Sequence, residues 1–294
     1  MKYLPSPPAA SNAVAVMVAA AAITIGCAAA AENSDISIRR LLERTSFSDA
    51  EIKDGFFKTA FRAELQFDRR AERIRKFDEP VRVFVVDRGT PDRRAEIAAV
   101  IADIRALVQH LDLAMTDDRQ SANFVVTLVQ RRDLAPTIRS HFGPERAKLI
   151  QRALAPECLS GIGKDASFRI RRAEVILPVD AGEFSFYDCA YEEMLQGLGI
   201  INDDSSVPWT MFNDDVQMGF FDVYDQHLVN ILYDPRIRPG MTRNEVDALL
   251  PQILPTVRAW VAKGTPSRSG ESGGVKAGLE NRGEAQSPRQ AAGK

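Results

Sequence analysis

Apolar and polar positions change period several times along this chain, and each change marks an element. Ser48-x-x-Glu51 has the spacing of a capping box, with Phe47 and Ile52 placed as a hydrophobic staple, and the helix it opens carries Ile52, Phe56, Ala60 and Phe67. "VRVFVVD", Val81 to Asp87, follows a proline and is largely β-branched and apolar, which predicts a buried strand. From Asp92 to Leu111 the residues Ile97, Ile101, Ile104, Val108 and Leu111 share one helical stripe. "NFVVTLV", Asn123 to Val129, is a second strand.

Gly143-Pro144 opens a helix through Leu149 and Ile150, because proline is tolerated where the first N–H has no helical partner. "FRIRRAEVILPVD", Phe168 to Asp180, reads as a third strand, alternating at first and then uniformly apolar. Met194, Leu195 and Leu198 give the next segment a buried helical face, and Gly199 ends it in a left-handed cap. "FFDVYDQHLVNILY" is a strongly apolar helix stopped at Asp234-Pro235. Thr242-x-x-Glu245 caps a last helix that Pro251 and Pro255 are expected to break. Helices interleaved with a few strands, then helices alone, predict an α+β domain over residues 36–263: a small mixed sheet packed by helices, with a helical C-terminal part.

The two ends read differently. Residues 1–31 hold Lys2, an apolar Ala-rich run from Ala13 and the small triplet Ala29-Ala30-Ala31, the layout of a secretory signal peptide. Cys27 closes the apolar run where bacterial lipoproteins are cleaved and acylated, although Thr24-Ile25-Gly26-Cys27 lacks the usual leucine. Cys27 is therefore either a lipidation site or discarded with the leader. Residues 264–294 contain no aromatic residue and are rich in Gly, Ser, Pro and charge, which predicts a disordered tail.

With 294 residues, 45% of them hydrophobic, the chain can bury a sizeable core. Its 38 basic and 40 acidic residues leave a net charge of −2, with no global pull toward nucleic acid or an anionic membrane. Export would leave Cys158 and Cys189 in an oxidising compartment, where a disulfide is the economical expectation and two free thiols the alternative.

The chemistry concentrates in "YEEMLQGLGIINDD", Tyr191 to Asp204. Counted from Glu192 it reads E-E-x-x-Q-x-x-G-x-x-N, which resembles the metzincin peptidase spacing H-E-x-x-H-x-x-G-x-x-H. There, two ligands four apart share a helix face, the glycine turns the chain, and a third ligand returns to the metal. Met211 lies where a Met-turn would fall beneath such a site. Zinc favours His and Cys donors, yet these positions hold Glu192, Gln196 and Asn202. Glu193 stands where the general base would be, but without a zinc-bound water it loses the usual hydrolytic route.

Two readings of the cluster remain beside the plain one of a solvated helix face with a glycine cap and an Asx turn at Asn202. Glu192, Gln196, Asn202 and Asp203 offer oxygen donors that suit a hard divalent cation, Ca²⁺ or Mg²⁺. Alternatively they form a polar network in a cleft that binds a peptide without cutting it.

"AEVILPVDAGEFSFYDCAYEEMLQGLGIINDDSSVPWTMFNDD", "LYDPRIRPGMTRNEV", "FSDAEIKDGFFKTAF", "RIRKFDEPVRVFVV" and "ANFVVTLV" together resemble Domain of Unknown Function 2927, a family of secreted proteobacterial lipoproteins. The resemblance implies export and lipidation, with Cys189, Glu192, Glu193, Gln196 and Gly199 at family positions. The combined expectation is an exported protein, periplasmic or lipid-anchored at the outer membrane of a Gram-negative bacterium. Its zincin-like cleft would serve binding or assembly with an envelope protein or peptide, with no cofactor beyond the hard cation named above. The competing expectations are a divergent metal-dependent hydrolase using Glu193 and a purely structural lipoprotein. The sequence does not define the oligomeric state.

Overall fold

The computed structural model describes residues 32–61, 72–153 and 156–264. The expected leader with Cys27, Phe67 and the tail beyond Gly264 lie outside these residues. The elements run α1 (Ser34–Leu42), α2 (Asp49–Phe61), β1 (Val81–Asp87), α3 (Arg94–Leu107), β2 (Leu113–Met115), β3 (Phe124–Val129), α4 (Leu134–Phe142), α5 (Pro144–Ala153), β4 (Leu159–Lys164), β5 (Ile170–Pro178), α6 (Glu183–Gly197), α7 (Val223–Tyr233) and α8 (Arg243–Gly264). The fold is α+β, with eight α-helices and a five-stranded mixed sheet among the described residues. None of these helices is long and apolar enough to cross a membrane.

The strand order is β2-β1-β3-β5-β4, parallel except for β4, which pairs antiparallel with β5 at the edge. β3 is central and every residue in it is buried, which explains its near-continuous apolar run, broken only by Thr127. One sheet face is covered by α4 and α5 through Leu134, Ile138, Ala147 and Ile150, which close on Val129, Leu159 and Ile176. The other carries α3 and α6, and outside them pack α2, α7 and α8. Asn230 of α7 and Trp260 of α8 both donate to the Leu107 carbonyl, so the C-terminal helices are bonded to the end of α3.

Both capping boxes form. Glu51 N–H donates to Ser48 Oγ at 3.2 Å while Ser48 N–H donates to the Glu51 carboxylate at 2.7 Å, and Thr242 and Glu245 repeat the exchange at 3.3 and 2.7 Å. The expected break in the last helix does not occur: α8 runs unbroken through Pro251 and Pro255. A proline inside a helix costs about 3 kcal/mol. Val246, Leu250, Ile253, Leu254, Val257 and Val261 are all buried along α8, and each contributes about 1.5–3 kcal/mol, so packing outweighs both prolines. The sequence also gave no sign of β2 or β4, because β2 is three residues long and β4 reads "LSGIGK", with two glycines and only two apolar positions.

Cys158, the residue before β4, is disulfide-bonded to Cys189 of α6 across a separation of 31 residues. The bond ties an edge strand, which among the described residues pairs on one side only, to the helix beneath it. On the chain-entropy account a loop of this length is worth about 3–4 kcal/mol. Replacing both cysteines by serine should therefore lower the melting temperature by roughly 10 °C, and reductant should lower the parent's but not the variant's. Equal melting of parent and variant under oxidising conditions would contradict this.

Candidate functional site

A cleft of about 520 Å³ opens along the outer side of β4. Ser160, Gly161 and Ile162 form one wall, α6 forms the floor with Asp188, Glu192, Glu193 and Gln196, and the segments carrying Asp203 and Met211–Gln217 face them. The polar side of α6 is thus enclosed and is not a face turned to water: Glu193 is 6% exposed, and Glu192 and Gln196 keep only part of their surface.

The chain reaches this geometry through Gly199. Its φ is +123°, and a Cβ there would sit 2.3 Å from the Arg75 carbonyl oxygen, so glycine is required on both counts. After the turn, the Ile201 and Asn202 N–H groups both donate to the Thr59 carbonyl, which fixes the returning strand of chain on α2. Asn202 is consequently no part of the cleft. It is buried, and its amide donates to the Lys58 and Asp203 carbonyls at 3.0 Å. The returning polar group is the next residue, Asp203.

Gln196 joins the two walls. Its Oε1 accepts from the Ser160 hydroxyl at 3.0 Å, and its Nε2 donates to Asp203 Oδ1 at 3.0 Å and Oδ2 at 3.3 Å. Glu192, Asp203 and Asp214 each place one carboxylate oxygen within 4.8 Å of the others. Burial pushes the Glu192 carboxyl well above its usual range, and the charges of Glu193, Asp203, Asp188 and Asp214 push it further the same way.

Asp214 was not singled out from the sequence, although a signal was present. Asn-Asp-Asp occurs twice, at Asn202-Asp203-Asp204 and Asn213-Asp214-Asp215. Each asparagine is buried with its amide on backbone carbonyls, Asn213 on Ser205 and Val207, and the aspartate that follows joins the carboxylate group. The Asp204 N–H donates to the Phe212 carbonyl at 2.9 Å and couples the two segments.

Met211 is buried and lines the cleft, and its turn is fastened from below. Asp225 of α7 accepts from the Met211 N–H at 2.8 Å and the Thr210 hydroxyl at 2.5 Å. Asp222 caps α7, its Oδ1 accepting from the Tyr224 and Asp225 N–H groups, while its Oδ2 makes no hydrogen bond. Both carboxyls lie wholly inside the protein, and burial raises both, Asp225 to about 6 and Asp222 well above its usual value, with Asp225's charge as a further cause for the latter.

The donor set does not fit zinc. Among the described residues lining the cleft there is no histidine, and its two cysteines are held in the disulfide. His110 borders a different cavity, beside Lys76 and Tyr233. His141 Nδ1 lies 2.9 Å from the Thr137 carbonyl, and His227 Nδ1 2.6 Å from that of Val223, with burial lowering His227 to about 4.

A carboxyl whose folded-state value is raised contributes stability below its unfolded value, near 4, that is lost as pH rises through the folded value. For the Asp222–Asp225 pair that loss spans about pH 4 to above 6. Asp222→Asn keeps the capping oxygen and removes a charge beside Asp225. The variant should match the parent at pH 4.5 and melt about 2–4 °C higher at pH 7.5, following a gain of about 1 kcal/mol. The same offset at both pH values in thermal melts would refute the paired burial.

The model of a family described as a protein of unknown function, DUF2927, matches residues 49–252, more than half of the chain. No curated protein and no solved structure matches it.

Proposed function

We propose that this chain, which belongs to the DUF2927 family, is an exported envelope protein whose cleft holds an extended peptide segment of a partner without cutting it. The observation that carries the reading is the unpaired edge of β4. Among the described residues β4 pairs only with β5, and its Ser160–Ile162 stretch lines the cleft. An edge strand presents a row of N–H and C=O groups that an extended chain can complete, with neighbouring pockets reading alternate side chains. Phe142, Ile150 and Pro156 supply an apolar end to the cleft, and the carboxylates of α6 and the facing loops supply an acidic one.

A zincin-like descent of the cleft is supported by the order of its parts: strand, helix with Glu192, Glu193 and Gln196, glycine turn, returning Asp203, and the Met211 turn beneath. Binding in place of turnover is favoured because Glu193 is buried and the described lining of the cleft offers none of the histidine or free thiolate ligands that would hold a zinc-activated water. Export is supported by the leader composition and by a disulfide that suits an oxidising compartment.

Selection from a library of displayed decapeptides against the purified chain tests the reading. Selected peptides should slow amide exchange across Ser160–Ile162, and Ser160→Arg, which crowds that wall, should weaken them by about tenfold or more. The peptides should be recovered intact. Protection confined to other elements, or peptide cleavage that Glu193→Gln abolishes, would overturn it.

A further inference from the structure

Single apolar side chains are ordinary on a protein surface, but six large ones are exposed among the described residues and three of the six sit together on α1. Ile38, Leu41 and Leu42 are 53%, 70% and 79% exposed, and their i, i+3, i+4 spacing puts them on one face of the helix. The face turned to the protein is the charged one. Ile36 is buried there, and Arg39 donates from Nε to the Gln217 carbonyl at 2.7 Å while its guanidinium lies over the Phe184 ring. Arg40 lies over Phe220, and Glu43 accepts from the Val223 N–H. A surface helix ordinarily buries its apolar stripe and leaves its charged one in water. Here polar contacts hold the helix the other way round, with the apolar stripe outward.

We infer that this outward face of α1 lies in the surface of a lipid bilayer, at the boundary of headgroups and acyl chains. The place of the helix in the chain identifies the bilayer as its cover. The apolar run from Ala13 closes at Cys27, and α1 begins at Ser34, seven residues on. Seven residues of extended chain span at most about 25 Å, so a bilayer that holds that run, or a lipid on Cys27, is within reach of the helix. Three apolar side chains bind a bilayer weakly in isolation, and a single acyl chain is a marginal anchor. A short tether raises the effective concentration of each at the membrane, so the two together hold. Residues 32–44 carry three acids, Glu32, Asp35 and Glu43, and three bases, Arg39, Arg40 and Arg44. With that balance the contact needs no anionic lipid. The inference rests on the envelope placement proposed above and is independent of the peptide cleft.

The test uses the full chain, expressed with its leader in a Gram-negative host, recovered with the membrane fraction and reconstituted into phosphatidylcholine vesicles. Part of the lipid carries a photoreactive diazirine on an acyl chain. Irradiation followed by peptide mass spectrometry should find lipid adducts on residues 38–42. Combining Ile38→Ser, Leu41→Ser and Leu42→Ser should cut those adducts by about tenfold or more and speed amide exchange over α1 by about as much, while adducts before Glu32 persist. All three positions are exposed, so the variant should melt like the parent, and Leu42→Ser alone, at the most exposed of them, should cut the adducts severalfold.

Adducts before Glu32 with none on α1 would remove the docked helix and leave membrane attachment standing. Recovery of the chain only as soluble protein would remove the attachment and the inference with it. Adducts equal in parent and triple variant overturn the docking, and so does protection of α1 that appears without lipid and grows with protein concentration, because a second copy is then the cover.

Discussion

The contact between Gly199 and the Arg75 carbonyl decides where the rest of the site can be. A chain leaving α6 with any side chain at that position would collide with backbone it cannot displace. With glycine, it turns at once, lands on the Thr59 carbonyl, and delivers Asp203 to the side of the helix that already bears Glu192 and Gln196. The Met211 segment follows from that placement, since Asp204 bonds to Phe212 and Asp225 holds Thr210 and Met211 from below. Floor, facing wall and underlying support thus descend from one steric condition.

Around this turn the protein gathers carboxylates where burial penalises charge. Asp188, Glu192, Asp222 and Asp225 all have their carboxyls raised, with burial the leading cause in each. Stability is thereby surrendered at one place while the sheet and the helix layers outside it keep ordinary apolar packing. A local conflict of this kind, in a domain otherwise consistent from propensity to core, is where functional or strained sites are expected.

How much of this was legible in the sequence follows from which forces leave a local trace. Capping boxes did, because Ser48 with Glu51 and Thr242 with Glu245 act within one turn of chain. The strands β1, β3 and β5 did, because each carries a mostly apolar, β-branched stretch, longest in β3, which is buried throughout. β4 left none: its pairing with β5 and its tether to α6 are tertiary, and "LSGIGK" has weak strand propensity. Pro251 and Pro255 misled for the same reason, since the packing that overrides them lies on other helices. At the site, spacing put Glu192 and Gln196 on one helix face, and both line the cleft; of the two returning residues named, Asp203 lines it and Asn202 does not. A spacing rule cannot see that Asn202 is claimed by the Lys58 carbonyl, nor that a second Asn-Asp-Asp brings Asp214 alongside.

The Cys158–Cys189 bond also governs which parts of the cleft can yield to an occupant. Wall and floor on the β4 side are one covalent unit, reinforced by Ser160 on Gln196, and their separation is set before anything enters. The opposite wall has no such covalent tie among the described residues: it is held by hydrogen bonds through Asn213, Asp225 and the Asp204–Phe212 pair and by the burial of Val207, Met211 and Phe212 in the core. The covalent link thus distinguishes the β4 side, whose wall and floor cannot separate without breaking a bond, from residues 203–217, whose position depends on non-covalent contacts.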